Sequence, residues 1–316
     1  MWTEFSGLLI LGFVVEIHSH NLLPSIDFQN PDVRIENIRN EANKIGAFEV
    51  KNLGQSYYQS MQKFFLNAPS CLQNDQTLPN MVMNDGSVRT TFAKSNSNEY
   101  PNCMSDEIEV ITKAFDQIDT IVTKIIEDIV EPGMLNYKVS DKSDQIRNLA
   151  NSPIKEHLHV YTKNDANESR TFNDKFMVPF HVDNGLYLLI TPFPGHGLKI
   201  ESSDGVVIDT DDIKADSILV LIGRGLTDWL LHGKDQSKEF HAAPHAVEAI
   251  GSMPYSGRSV FARMKVAPLE AVPVYGTIKF KKVFFNEDIL HEDHPTKLSE
   301  NILGMFSCWM KSVAAL

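Results

Sequence analysis

Hydrophobic positions recur with a helical period in the first half of the chain and alternate in the second. After the apolar extended segment 22–28 (LLPSIDF), Ile35, Ile38, Ala42 and Ile45 recur at spacings of three and four, which predicts a helix with Gly46 at its C-cap. Residues 47–50 (AFEV) alternate as a short strand and close at Asn52-Leu53-Gly54. Residues 55–66 read as helix again, and the Asn- and Ser-rich stretch 67–104 reads as loop. From residue 105 to 131, Ile108, Ile111, Phe115, Ile118, Val122, Ile125 and Ile129 define one long amphipathic helix, stopped by Pro132-Gly133.

Beyond residue 150 the period falls to two. Short β-rich runs at 157–162, 176–182, 186–191, 197–201, 205–209, 217–222, 243–248, 258–266 and 277–285 are separated by Gly, Asn, Asp and Pro turns. Helices followed by this many short strands predict an α+β chain that is mainly β: an antiparallel double-sheet barrel of the double-stranded β-helix (jelly-roll) type, supported by helices and preceded by a helical N-terminal lobe. Residues 21–150 would form the lobe and long helix, 151–290 the barrel, and 291–316 a closing segment whose stretch 298–315 is apolar enough for a helix.

Composition narrows the partners. The 316 residues are 42% hydrophobic, enough to bury a sizeable core. A formal net charge of -12, with no run of Lys or Arg, argues against nucleic acid. The apolar run 8–15 is too short to span a bilayer but long enough for a signal-peptide core, although residues 1–20 hold no Lys or Arg and carry Glu4 and Glu16. The expectation is a leader over residues 1–20 that directs the chain to the secretory pathway, to the ER lumen or outside, with no membrane association after its removal. A buried N-terminal element in a cytoplasmic protein is the alternative. The sequon Asn167-Glu168-Ser169 would accept a glycan in the first case. Three cysteines, Cys71, Cys103 and Cys308, are read as free thiols, with a Cys71–Cys103 bridge as the alternative.

Candidate chemistry centres on Phe180-His181-Val182-Asp183-Asn184-Gly185. Side chains two apart on a strand leave the same face, so His181 and Asp183 can enter one barrel mouth together. His245, at the start of a later strand, supplies a third ligand, with His241 as its competitor. Two imidazoles and one carboxylate on one face of a metal leave the opposite face open, as iron(II) oxygen chemistry requires, although zinc accepts the same ligand types. Thirteen residues after His245, Arg258 offers a planar cationic fork for a carboxylate. Arg263, at an odd offset of five, falls on the other face. Tyr161 is a candidate hydroxyl or a core residue. His157, His159, His196 and His232 read as structural or exposed, 291–294 (HEDH) as a solvated loop, and Asp209, Asp211 and Asp212 as an exposed acidic turn. Phe180, Leu186, Leu188 and Trp229 read as barrel lining.

Taken together, these pieces resemble the isopenicillin-N-synthase-like family of iron(II)/2-oxoglutarate dioxygenases over nearly the whole chain. Residues 22–54 are similar to its N-terminal segment, and residues 180–266 to its catalytic half: the His-x-Asp pair, Gly197-Leu198, Asp204-Gly205, His245 and the Arg258 strand. The resemblance implies Fe(II) on His181, Asp183 and His245, with 2-oxoglutarate chelating the metal and its distal carboxylate on Arg258. It also implies that Tyr161 touches the oxo acid and that O2 is the oxidant, with ascorbate as a possible reductant. The substrate would be a small molecule, hydroxylated, desaturated or cyclised with release of succinate and CO2; nothing in the sequence sets an oligomeric state. Two positions depart from the family: Val260 stands where a Ser usually follows the anchoring Arg on the same face, and Ala246 replaces the Arg usual after the distal His.

Overall fold

The computed structural model describes residues 23–30, 43–75, 77–94, 99–129, 137–139, 142–146, 152–163, 175–192, 197–230, 240–249, 257–273 and 277–285. The leader, most of the helix expected over 35–45, the sequon, His196, His232, residues 291–294, the closing helix and Cys308 lie outside these. In chain order the strands are β1 (Ser25–Asp27), β2 (Ala47–Lys51), β3 (Asn80–Val82), β4 (Val88–Lys94), β5 (Tyr137–Val139), β6 (Lys142–Ile146), β7 (Ile154–Thr162), β8 (Phe176–His181), β9 (Tyr187–Ile190), β10 (Leu198–Glu201), β11 (Val207–Asp209), β12 (Ile218–Ile222), β13 (His245–Glu248), β14 (Gly257–Lys265) and β15 (Ala271–Pro273). The helices are α1 (Gln55–Gln73), α2 (Ser105–Ile129) and α3 (Phe280–Phe284).

Among the described residues, strand outweighs helix. An eight-stranded sheet runs β1-β2-β12-β9-β14-β7-β4-β3, a four-stranded sheet runs β11-β10-β13-β8, and β15-β5-β6 form a three-stranded one. The alternation of β7 shows how the large sheet is used on both faces. Leu158 and Val160 point into a core shared with Met61, Phe64, Ile111 and Phe115 of the two long helices. Tyr161 belongs instead to an inner cluster, where Leu188, Ile190, Leu219 and Val260 of the large sheet meet Met177, Leu198, Ile200 and Val247 of the small one. The two sheets therefore pack face to face, and the helices cover the outer side of the larger.

Polar contacts fasten α2 to that outer side. Arg263 donates to Glu156 at 2.6 Å and also to Asp116, while Lys265 pairs with Asp119 at 2.7 Å. The Tyr187 hydroxyl donates to Asp119 at 2.6 Å. Asp106 and Glu107 occupy the first turn of α2, where carboxylates complement the helix dipole.

Four expectations need correction. Helix α1 continues to Gln73 through Pro69, because Ala68 and Leu72 prolong the buried stripe of Tyr57, Met61 and Phe64. The stretch read as loop holds β3 and β4, so the N-terminal segment contributes strands to the large sheet as well as helices. The run 277–285 is not a strand: Phe280, Val283 and Phe284 recur at helical spacing as α3, and Phe280 packs edge-on against Trp229 at 4.9 Å between centroids. Cys71 and Cys103 are bridged, with Cα atoms 6.0 Å apart, because the extended α1 carries Cys71 to the short 3-10 turn Asn102–Met104.

Candidate metal centre

The site starts from an irregularity in one strand pair. β8 and β13 are antiparallel, with His181 opposite His245 and Val178 opposite Val247. Between these pairs two residues of β8, Pro179 and Phe180, answer one of β13, Ala246, which is a bulge. Pro179 sits in it, where a missing N–H is tolerated. The rings of His181 and His245 come to 4.3 Å between centroids.

Asp183 follows β8 by two residues and reaches both rings. Its Oδ1 lies 3.9 Å from His181 Nε2 and its Oδ2 3.8 Å from His245 Nε2. All three ligand atoms fall within 4.8 Å of one another, a group that could hold a metal ion. Each imidazole is oriented from behind. His181 Nδ1 donates to the Pro179 carbonyl at 3.0 Å, and His245 Nδ1 to the Ala243 carbonyl at 3.0 Å. Because a carbonyl only accepts, Nδ1 carries a proton in both rings, and each Nε2 is turned toward Asp183. Burial, and next the neighbouring His181, push His245 down to about 4, so it is neutral at physiological pH.

Backbone glycines hold Asp183 in place. The Arg224 amide donates to the Asp183 carbonyl at 2.8 Å, and the Gly225 amide to that of Gly185 at 2.9 Å. A Cβ on Gly223 would stand 2.2 Å from the Gly185 oxygen and 2.9 Å from the Asp183 oxygen. The turn after β12 can approach this closely only as glycine.

The neighbouring wall is β7. His157, His159 and Tyr161 share its inner face; the two imidazoles stack at 5.6 Å, and His159 Nδ1 meets the Thr91 hydroxyl at 3.0 Å. Burial first, then the charge of Arg89, lowers both histidines, His157 to about 4. Arg258 is the cross-strand partner of Tyr161 on β14 and donates toward the Glu248 carbonyl at 3.5 Å. Burial pushes its guanidinium down to about 10, so it stays charged at neutral pH.

The five residues singled out in the sequence fall on this one interior, whereas Arg263 is engaged on the outer face. His241 is not part of the cluster. Val260 lies in the inner cluster and Ser259 on the opposite face of β14. Leu188 lines the interior, but Leu186 and Trp229 belong to the outer core, with the Trp229 indole donating to the Ile278 carbonyl at 2.7 Å. Asp209 and Asp211 are not simply a solvated turn: both face Lys199, and Asp211 accepts from the Gly197 amide at 3.1 Å. Three interior residues were missed. His157 and His159 show the same two-residue alternation as Tyr161, which was signal enough; Arg89 lies on β4, inside the stretch taken for loop.

No protein-family model matches the chain, and neither does any curated protein. Solved structures do. The chain is similar to the dioxygenase for auxin oxidation from rice, at 12% identity and a TM-score of 0.59 over 82% of this chain and 92% of that one. The dioxygenase for auxin oxidation 1 from Arabidopsis thaliana, solved with 2-oxoglutarate, matches at 16% identity and a TM-score of 0.53, covering 79% and 94%. JOX2, solved with 2-oxoglutarate, iron and JA, matches at 14% identity and a TM-score of 0.51, covering 82% and 83%. At these identities the likeness shows the fold alone, a mixed α/β arrangement in which sheet outweighs helix.

Proposed function

We propose that this protein is an Fe(II)/2-oxoglutarate-dependent dioxygenase of the isopenicillin-N-synthase-like kind, its two facing sheets forming a jelly roll. The reaction is oxidation of an unactivated C–H bond in a small organic substrate, by hydroxylation, desaturation or ring closure, with release of succinate and CO2. The observation that carries this reading is the convergence of His181, Asp183 and His245 within 4.8 Å, on a fold shared with 2-oxoglutarate enzymes.

The residues fit the group they would hold. Two imidazoles with backbone-anchored Nδ1–H and one carboxylate are the donor set of mononuclear iron(II) oxygenases, and His181 and Asp183 remain partly exposed, so co-substrate can reach them. Bound there, iron(II) with 2-oxoglutarate and O2 supplies the oxidising chemistry, and ascorbate serves to keep the metal reduced. The chain supplies the surroundings. Arg258, almost fully buried and charged, is placed to hold a distal carboxylate, with the Tyr161 phenol beside it. Leu188, Ile190, Val260 and Ala262 keep the interior dry.

One observation favours a second reading. Val260 removes a hydroxyl from the co-substrate wall, so a barrel that binds its ligands without turnover is the competitor. Purified protein with iron(II), ascorbate and 2-oxoglutarate should release succinate above background, and His181→Ala should abolish it. Iron and oxo-acid binding without succinate would favour the binding protein, and failure to bind iron would remove both readings.

A further inference from the structure

Tyr161 has an arginine as cross-strand partner on each side. Its partner on β14 is Arg258 and its partner on β4 is Arg89, so the three side chains form one row across adjacent strands. Alternation along β4 puts Arg89, Thr91 and Ala93 on the face of His157 and His159, and Phe92 on the helix side. The contact between Thr91 and His159 confirms this assignment.

The two arginines have different surroundings. Arg258 lies among the charges of Glu248, Asp85 and Asp211. Arg89 donates to the Met81 sulfur at 3.4 Å, its Nε is buried with no hydrogen-bond partner, and among the described residues no carboxylate pairs with it. A thioether is a weak acceptor, and a guanidinium keeps its charge at any physiological pH. Arg89 is half-buried, and its buried Nε is a donor that an arriving anion would satisfy. It stands on the same inner face of the sheet as His157 and His159.

Resting on the oxygenase reading, we propose that Arg89 is a substrate-binding residue and that the substrate is a carboxylic acid. Strands lie about 4.8 Å apart, so the backbones of Arg89 and Arg258 are about 10 Å apart across β7. Two arginines on alternate strands of one face can serve two carboxylates, one from the co-substrate on Arg258 and one from the substrate on Arg89. The carboxylate binds through paired N–H donors, and a primary amide of the same shape cannot replace it.

The test needs no turnover. The full chain, loaded with redox-inert zinc(II) and 2-oxoglutarate, is titrated calorimetrically with benzoate, phenylacetate and hexanoate and with their three amides. At least one acid should bind tenfold or more tightly than its amide. Arg89→Gln should erase that preference while changing 2-oxoglutarate affinity less than threefold, and Arg258→Gln should do the reverse. Should Arg89→Gln not fold, Arg89→Lys keeps the charge without the fork and should lose most of the preference. The proposal is overturned if no acid is preferred, if the preference survives in the Arg89 variants, or if these weaken 2-oxoglutarate as much as Arg258→Gln does. If the wild-type chain fails to bind 2-oxoglutarate while acid preference still depends on Arg89, the oxygenase reading falls and Arg89 keeps only its role as a carboxylate-binding residue.

Discussion

His181 and His245 face each other across the β8–β13 pair, and a single extra residue in β8 is what sets them together. The bulge at Pro179 turns His181 so that its ring meets that of His245 over the carboxylate of Asp183. If these side chains are the ligands, calorimetry with manganese(II) as an air-stable probe should show one site per chain. His245→Ala should weaken it by at least a hundredfold, and His241→Ala should leave it within threefold, since His241 lies outside the cluster. Equal losses in the two variants would put the ligand assignment wrong.

Gly223 tests the support beneath Asp183 rather than the ligand itself. In Gly223→Ala the new methyl would meet two backbone oxygens, at 2.2 and 2.9 Å, and neither belongs to a flexible side chain that could swing away. Overpacking of this kind costs about 1–3 kcal/mol. The variant should melt lower and bind manganese(II) at least tenfold more weakly, because relief requires moving the loop that carries Asp183. Lower stability with unchanged metal affinity would separate the glycine from the site.

Arg258 and Arg263 share a strand but not a face, and their variants should part accordingly. Arg258→Gln should weaken 2-oxoglutarate by about a hundredfold, the worth of a charge-assisted pair of about 2–3 kcal/mol, with little change in melting temperature. Arg263→Gln leaves Glu156, which is 8% exposed, without its main partner. Breaking a buried pair costs about 3–5 kcal/mol. That variant should lose stability and keep its oxo-acid affinity, and the opposite pattern would exchange the two roles.

How much of this was legible beforehand depended on whether a signal was local. The metal triad could be read because His181 and Asp183 are two apart in the chain, although Asp183 lies just past the end of β8, and the parity of Arg258 against Arg263 placed them on opposite faces without coordinates. The long helix α2 was equally plain from its apolar stripe. Arg89 was missed because β3 and β4 are polar strands of the large sheet, whose pairing with β7 is decided far away in the chain. The end of α1 was misread because Pro69 argues against helix locally, while burial of Ala68 and Leu72 outweighs it. The 277–285 run failed for a similar reason: its aromatic richness suits strand and helix alike, and packing on Trp229 decides.

The Cys71–Cys103 bridge closes a loop with a sequence separation of 32 between α1 and the turn before α2. A loop of that length limits the unfolded chain by about 3–4 kcal/mol on the entropic account. Cys71→Ser should therefore lower the denaturation midpoint, and reductant should lower that of the wild type but not of the variant. Identical midpoints with and without reductant in the wild type would mean the bridge contributes nothing.

The inner histidines give the protein an acid-side weakness whose sign can be worked out. Burial, and next Arg89, hold His159 well below its ordinary range in the folded chain. Unfolded, it titrates near about 6.5, so below that pH the unfolded chain binds a proton that the folded chain does not. Stability is therefore present above about pH 6.5 and is lost as pH falls below it. Between pH 7.5 and 5.5 the loss from this one residue is at most about 1.4 kcal/mol. His159→Asn keeps a polar partner for Thr91 and removes the titration, so its denaturation midpoint should fall less between these pH values than that of the wild type. Using metal-free protein for both cancels the contributions of His181 and His245. An equal fall in the two chains would mean that His159 is protonated within the fold, and the interior would then be wetter than its packing against Tyr161 implies.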